Sequence, residues 1–514
     1  MARYIHHSID QNTMVVINFH DHLQPGTFEY TLNLLFDSHI DLSYFDEIYG
    51  NDETGRPAYN PGLLLKIILF AYYKGITSSR EIEWCCANNI TFMALACQTV
   101  PHWTTIAAFV SSHGDEVTRL FESVLLICDQ QGLLGHELIA IDGCKMPSNA
   151  SKEWSGTFDE LQKKQDKLKH RLQLALARHK ELDARGESDR AARHLQAAET
   201  LAQQAEKVSQ FLAASEPKMG QGKRPKEVKS NITDNESAKM KTSKGTIQGM
   251  TGVAAADKKH QVIVDAQAFG QGQEQHTLMP VIETIRDRYQ RLGVEQDVFA
   301  GDVIITADTG FSSEDNIRYL HDHNIDGYVP DNQFRSRDPK FAKQKATHGH
   351  NKVSKYPSKI PAIEFEYNPV NQRCFCPEGK EMRFHHEGVD ANGNTKVFFE
   401  GRLAECRQCH RKQDCMRNPD SANDRKGHGR QVSFIVKDKA SYTDWMRSRI
   451  DTERGKQIYS HRMSVIEPVF GNLEHNKGLR RFSLRSQRKV NTQWQLYCLV
   501  HNLEKLHHYG QIAA

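Results

Sequence analysis

The chain has 514 residues, of which 25% are charged and 38% hydrophobic, and its formal net charge is +3. That length has room for about three domains, and the near-neutral balance means that any case for nucleic-acid binding must come from local basic runs. No apolar stretch reaches the roughly 18 residues of a membrane span, and Met14-Val-Val-Ile-Asn-Phe19 is too short for a secretory signal. The 11 cysteines fit a reducing, cytoplasmic setting.

In chain order, residues 1–58 show no clear period. From Asn60-Pro61 the pattern turns helical, with Leu63, Leu64, Ile67, Ile68 and Ala71 forming a stripe that ends at Gly75. Ser78-x-x-Glu81 reads as a capping box for the next helix. Thr104 or Thr105 is expected to cap another, and an amphipathic stretch runs from Gly114 to Gly132. Short helices with tight turns over 1–134 suit a DNA-binding domain, or a generic helical bundle.

Leu138-Ile-Ala-Ile-Asp142-Gly reads as a buried strand with an acid at its end. Residues 158–215 then become rich in Lys, Gln, Glu, Ala and Leu and contain no Pro. Leu161, Leu168, Leu172 and Ala175, broken by Gly186 and resumed by Leu201, Ala205, Val208 and Leu212, predict a charged helical hairpin with one sticky stripe, suited to packing or dimerisation. A Gly/Pro-rich basic linker follows at 217–225. Gly245-Thr-Ile-Gln-Gly-Met-Thr-Gly-Val-Ala and His260-Gln-Val-Ile-Val-Asp265 predict two more strands, and a helix is expected over 276–292. Ile304-Ile-Thr-Ala-Asp308-Thr-Gly310 repeats the strand-then-acid pattern. Residues 330–362 are basic and turn-rich, either a DNA-tracking loop or a linker.

Cys374-x-Cys376-Pro-x-Gly is followed by Cys406-x-x-Cys409 and Cys415. Paired cysteines around a spacer are the pattern of a closed tetrahedral Zn²⁺ site, which would be structural rather than catalytic; unmetallated buried thiols are the alternative. In the last third, Tyr459-Ser-His-Arg462-Met-Ser-Val-Ile-Glu467-Pro-Val-Phe-Gly471 has helical spacing through Ile466, Val469, Phe470 and Leu473. Between His475 and Leu503 stand Lys477, Arg480, Arg481, Arg485, Arg488 and Lys489 with no acid. Such a run is either a solvated face or a set of phosphate contacts, with Phe482 packing or stacking within it.

Asp142, Asp308 and Glu467 each stand at the edge of an apolar run. Acids from two strands and a helix can make an oxygen-only nest for Mg²⁺ or Mn²⁺, although an Asp after a strand also serves as a turn former or helix cap. The wording around them resembles insertion-sequence DDE transposases of the group marked by a Tyr…Arg…Glu…Lys helix, and the likeness runs from about Tyr59 to Leu506. Tyr59-Asn-Pro through Trp103-Thr-Thr-Ile-Ala resembles the N-terminal domain of that group, and the Cys-Pro-x-Gly block also resembles its counterpart. On that likeness Cys376, Cys406, Cys409 and Cys415 are expected to hold zinc, leaving Cys374 spare.

The resemblance implies an α/β fold with a ribonuclease-H-like core. The expected divisions are an N-terminal helical domain (1–134), a first core part (135–329) interrupted by the hairpin (158–215), a basic and zinc-ribbon-like insertion (330–440) and a second core part (441–514). The core must be discontinuous, because both gaps between the acids exceed what it needs. The resemblance also implies a metal-dependent DNA transposase that cleaves element ends and joins 3′-hydroxyls to target DNA. Asp142, Asp308 and Glu467 would hold two Mg²⁺ or Mn²⁺ ions, and Tyr459, Arg462, Lys477, Arg480, Arg481 and Arg485 would contact double-stranded DNA, with two copies acting on two ends. A metal-dependent nuclease or resolvase, or a DNA-binding regulator, is the alternative. One departure stands out: where the group has Lys seven residues after the Glu, this chain has Glu474; either Lys477 one turn on serves partly in its place or this copy is impaired.

Overall fold

The structure is a computed structural model that describes residues 18–49, 57–221, 225–243, 245–294, 298–299, 301–341, 359–389, 394–436 and 441–512. The Met14–Ile17 part of the short N-terminal run, most of the 330–362 segment and Gly222–Arg224 of the linker lie outside them. The chain forms two compact units: one of residues to Gln221, Pro225–Asn332 and Met446 onward, the other essentially Gln333–Trp445.

The first unit is built on six strands: β1 (Leu138–Pro147), β2 (Ala238–Thr242), β3 (Gly245–Asp257), β4 (Ile263–Phe269), β5 (Ile304–Ala307) and β6 (Asp326–Tyr328). β1 lies antiparallel to β3 and parallel to β5, which in turn lies parallel to β6. The outer edge of β3 is shared, its first half pairing with β2 and its second half with β4. Met250, Val253–Ala256 and Ile139–Ile141 are almost fully buried, so these strands read as unbroken apolar runs instead of alternating ones. The register pairs Ile141 with Ala307, so each aspartate sits one residue beyond a paired position on neighbouring parallel strands.

A 23-residue helix, Gln487–Tyr509, covers β3 and β4 and is buried along most of its length. Trp494 lies under Gly252, where a side chain would place its Cβ 3.1 Å from the indole, and donates its Nε1–H to Val253 O at 2.9 Å. Polar side chains satisfy the free edge of β4: Asn502 accepts from Ile263 N–H and donates to Ile263 O, both at 2.8 Å, and Asn491 accepts from Ala268 N–H at 2.8 Å. An open strand edge is a template for unwanted pairing, and this helix closes it.

The opposite side of that helix is covered by the N-terminal helices Pro61–Tyr73, Trp103–Ser112 and Gly114–Gln130. A helix buried all round needs cover on two sides, and the N-terminal helices pack into one unit with the sheet. Asn60 caps the first of the three, accepting from Gly62 and Leu63 N–H, and Gly75 closes it at φ +76°. The expected box at Ser78 is not formed, since Ser78 makes no side-chain cap bond. Trp103–Ser112 is capped by His102 Nδ1 rather than by a threonine.

The predicted hairpin is two 27-residue helices, Phe158–Ala184 and Ser188–Ala214, turned at Gly186 with φ +74°. Thr157 and Glu160 form a reciprocal capping box at its start, and Leu161, Leu168, Ala205 and Val208 make its seam. The second unit carries a five-stranded antiparallel sheet in sequential order: β7 (Glu366–Asn368), β8 (Arg373–Phe375), β9 (Glu381–Val389), β10 (Thr395–Arg402) and β11 (His428–Val436). Cys374 is fully buried in its core with Phe365, Met382, Val397 and Phe399. Among the described residues no helix is long and apolar enough to cross a membrane.

Candidate active site

The helix Glu453–Gly471 crosses β1, β3 and β5. Thr452 caps it by accepting from Gly455 N–H at 3.0 Å. Gly455, Arg462, Val465, Ile466 and Val469 form its buried face, which sets Arg462 over Asp142 and Asp308; Asp308 follows the end of β5, whereas Asp142 stands midway along β1 and not at a strand end as expected. Pro468 lacks an N–H, leaving Ser464 O without its usual intrahelical donor; Gln261 Nε2 supplies one at 3.1 Å.

Arg462 ties the two aspartates together. Its Nη1 donates to Asp142 Oδ2 at 2.5 Å, and its Nη2 stands 3.4 Å from Asp308 Oδ1. Tyr459, three residues earlier and so on the same side of the helix, donates its hydroxyl to Asp308 Oδ1 at 3.1 Å. Asp142 Oδ1 accepts from Gly143 N–H at 2.8 Å. Arg462 retains only 6% side-chain exposure, against 16% for Asp142 and 35% for Asp308, and its buried Nε has no hydrogen-bond partner among the described residues.

Burial raises the Asp142 carboxyl to about 6, with Arg462 and the Gly143 amide opposing the rise and Asp308 adding to it. Burial, followed by the charge of Asp308, lifts the Tyr459 phenol to about 12. For Arg462 burial opposes the charge, but Asp142 foremost and then Tyr459 and Asp308 outweigh it, and the guanidinium pKa is raised. At neutral pH the Asp142 carboxylate therefore faces one fixed cation, which also faces Asp308. Two oxygen-donor groups converging on a positive charge fit a hard divalent ion.

The third acid is placed differently. Glu467 is exposed and, five residues past Arg462, points roughly 140° further round the helix. Among the described residues no three His, Cys, Asp or Glu side chains stand together as metal ligands; the expected three-acid nest is present as a pair. Lys477 departs further from expectation. It is 2% exposed, its ammonium rests on Glu504 Oε1 at 2.8 Å and 4.2 Å from the Tyr73 ring centroid, so it is not available to DNA and does not stand in for the missing lysine at Glu474. Arg480, Arg481 and Arg485 are exposed, as are Arg488 and Lys489; Arg485 Nε donates to Asn149 O and Arg488 pairs with Asp115. Phe482 is buried and meets Trp494 edge-on.

Two residues of this neighbourhood carried no signal in the sequence. Glu274, in the turn before the helix Leu278–Leu292, pairs with Lys145 of β1 at 3.1 Å and has 12% side-chain exposure. A single acid just before a helix reads as a helix-start residue, and only the fold shows what it faces.

In the second unit Cys376, Cys406, Cys409 and Cys415 line one cavity together with Glu378 and His410. Burial, reinforced by neighbouring cysteines, pushes the Cys406 thiol up; burial also pushes up that of Cys415, against the pull of Arg430. Cys374 instead faces Met382 in the core, Sγ to Sδ 3.9 Å.

Two protein-family models match the chain. One, described as a transposase DDE domain, matches residues 375–507; the other, described as a transposase domain (DUF772), matches residues 17–112. No curated protein matches it. Both models are of transposase domains, and together they support an insertion-sequence DDE transposase, as the Tyr459…Arg462…Glu467 wording implies. Asp142 and Asp308 lie between the two matched stretches, so their assignment rests on the geometry above and on their own local wording.

Proposed function

We propose that this chain is a DNA transposase that uses divalent cations to cut at the ends of its element and to join the freed 3′-hydroxyl to target DNA. The observation that carries the reading is the convergence of Asp142 and Asp308, from adjacent parallel strands, on a guanidinium of the Tyr459-x-x-Arg462 helix. The sheet order, four strands joined antiparallel followed by two parallel to the first, with a helix before each of those two, supports a ribonuclease-H-like core.

When bound, two Mg²⁺ or Mn²⁺ ions lower the pKa of the attacking oxygen and offset charge on the departing one. Asp142 and Asp308 would hold them, with Glu467 as the third acid in this reading. Glu467 stands on the exposed flank of its helix, so joining the pair requires movement of its side chain or of the helix. Arg462 keeps the two carboxylates from repelling each other while no cation is bound, and once released it can fork onto a phosphate. Tyr459 orients Asp308 through its hydroxyl. Arg480, Arg481 and Arg485 present exposed charge to the backbone of double-stranded DNA. Two copies acting on two element ends is part of the proposal, and the exposed Leu174, Leu176 and Leu195 of the long hairpin suit it as a packing arm.

For the second unit we propose a structural Zn²⁺ on Cys376, Cys406, Cys409 and Cys415, because these four share a cavity from which Cys374 is turned away; they do not stand together as ligands in this structure, so binding requires them to close around the ion. Zinc content measured with and without Cys409→Ser tests it; an unchanged content removes the site.

The activity test uses labelled duplexes of the element's ends with Mg²⁺ or Mn²⁺. Wild-type protein should nick and then join, and Asp142→Asn and Asp308→Asn should each reduce both to background while remaining folded. Cleavage by both variants at the wild-type rate would remove the acid pair from the chemistry. Cleavage without joining would restrict the activity to a nuclease.

A further inference from the structure

Behind the acid pair lies a contact that the chemistry above does not use. The Glu274 carboxylate sits against two glycines, one beside each aspartate. An added Cβ on Gly310, two residues after Asp308, would lie 2.1 Å from Glu274 Oε2, and one on Gly143, next to Asp142, would lie 3.3 Å from Oε1. Glu274 Oε1 is held by Lys145 at 3.1 Å. The turn that carries Glu274 is itself pinned to the Asp308 turn, because Asn316 Nδ2 donates both to Gln275 O at 2.8 Å and to Phe311 O at 2.7 Å. One carboxylate is thus wedged between the backbone leaving Asp142 and the backbone leaving Asp308.

Burying a carboxylate–ammonium pair is seldom more stabilising than an apolar filling of the same volume, so stability alone is a poor reason for this choice. The wedge falls where β1 continues beyond the end of β5. There the paired register stops at Ile141 and Ala307, and no backbone hydrogen bond of that ladder fixes the separation of the next residue on each chain. Arg462 spans the two aspartates through their side chains; Glu274 spans them through their backbone.

We propose that Glu274 is a positioning residue of this site, a shape-filling carboxylate anchored by Lys145 that sets the distance between the turns bearing Asp142 and Asp308 and so their readiness to share a divalent cation. This rests on the metal-binding reading above. A shell residue that orients metal ligands is worth about 10- to 100-fold in metal affinity.

The test is Mn²⁺ binding to the full-length protein without DNA, read by the loss of free-Mn²⁺ signal in electron paramagnetic resonance, alongside thermal unfolding. Glu274→Ala should weaken Mn²⁺ binding by about tenfold or more, whereas Glu274→Gln, which keeps the shape and can still accept from Lys145, should stay close to wild type. Gly310→Ala, which drives a methyl into the carboxylate, should weaken binding with Glu274 intact, and adding Glu274→Ala to it should weaken it little further. If Glu274→Ala binds Mn²⁺ as wild type does, or if it lowers only the melting temperature, the proposal is overturned. An equal loss in Glu274→Gln and Glu274→Ala also overturns it, because charge rather than shape would then be acting. Asp142→Asn is the control: if wild type and Asp142→Asn bind Mn²⁺ alike, the metal reading itself falls and the role of Glu274 falls with it, whereas a loss confined to Asp142→Asn rejects Glu274 alone.

Discussion

The helices Glu453–Gly471 and Gln487–Tyr509 lie on the same sheet and bury polar side chains in opposite ways. In the second, Asn502 meets both backbone groups of Ile263, Asn491 meets Ala268 N–H, and His501 donates its Nε2–H to Gln261 O. Those groups carry no fixed charge and meet strand backbone. In the first, Arg462 meets two carboxylates and keeps an unpartnered Nε in a buried position. A matched set of neutral bonds specifies a fold. Two negative groups on one positive group form a set that another cation can take over. The contrast separates a polar interior that builds the sheet from one that is poised to bind.

Removing Arg462 should give the largest change. Arg462→Ala leaves two carboxylates facing each other without a counter-ion, and breaking a buried pair in this way costs about 3–5 kcal/mol, less here because Asp308 is about one-third exposed. Mn²⁺ should then raise the melting temperature of the variant more than that of wild type, since the ion no longer competes with a guanidinium. Equal shifts in the two proteins would mean that Arg462 and the ion do not share a place.

Asn502→Ala probes the other helix. It strands a buried amide N–H and a carbonyl at the edge of β4, at about 1–3 kcal/mol for each group, so a loss of roughly 3 kcal/mol in urea unfolding is expected. Mn²⁺ should recover none of it. A loss below about 0.5 kcal/mol would show that water replaces the asparagine and that the strand edge is not sealed.

The same contrast explains what could be read from the sequence. The helix carrying Leu63, Leu64, Ile67, Ile68 and Ala71, the hairpin turned at Gly186 and the strand running up to Asp308 are local patterns of period and punctuation, and they form where expected; β1 instead runs on past Asp142 to Pro147, because β3 pairs with it as far as Gly249. The helix Gln487–Tyr509 was legible only as a basic run, because Thr492, Gln493, Gln495 and Asn502 are the residues of a solvated face unless a strand edge lies opposite. Lys477 failed for the same reason: its partner Glu504 is on the next helix and Tyr73 on one of the N-terminal helices. The resemblance puts Glu467 beside the aspartates, whereas its helical phase relative to Arg462 turns it outward. The meeting of Asp142 with Asp308 depends on the register between Ile141 and Ala307, which joins segments far apart in the chain and leaves no trace in either.

The smallest effect lies in the pH dependence of stability, where the two helices pull in opposite directions. The Asp142 carboxyl is lifted by burial from 3.8 to about 6, so its contribution is complete below 3.8 and is lost as pH rises through 6. His501 is depressed by burial first, then by the charge of Lys505, from 6.5 to about 4. Its neutral ring is accommodated above 6.5, and stability is lost as pH falls from there through 4. Each shift corresponds to about 3 kcal/mol, somewhat less for the partly exposed Asp142. Across pH 4 to 6 the two slopes nearly cancel in the wild type and should separate in the variants. Relative to wild type, His501→Gln should lose stability as pH rises through that window, and Asp142→Asn should gain it. Urea unfolding at pH 4.5 and 6 measures both, and parallel slopes in the two variants would show that neither buried group sets the balance.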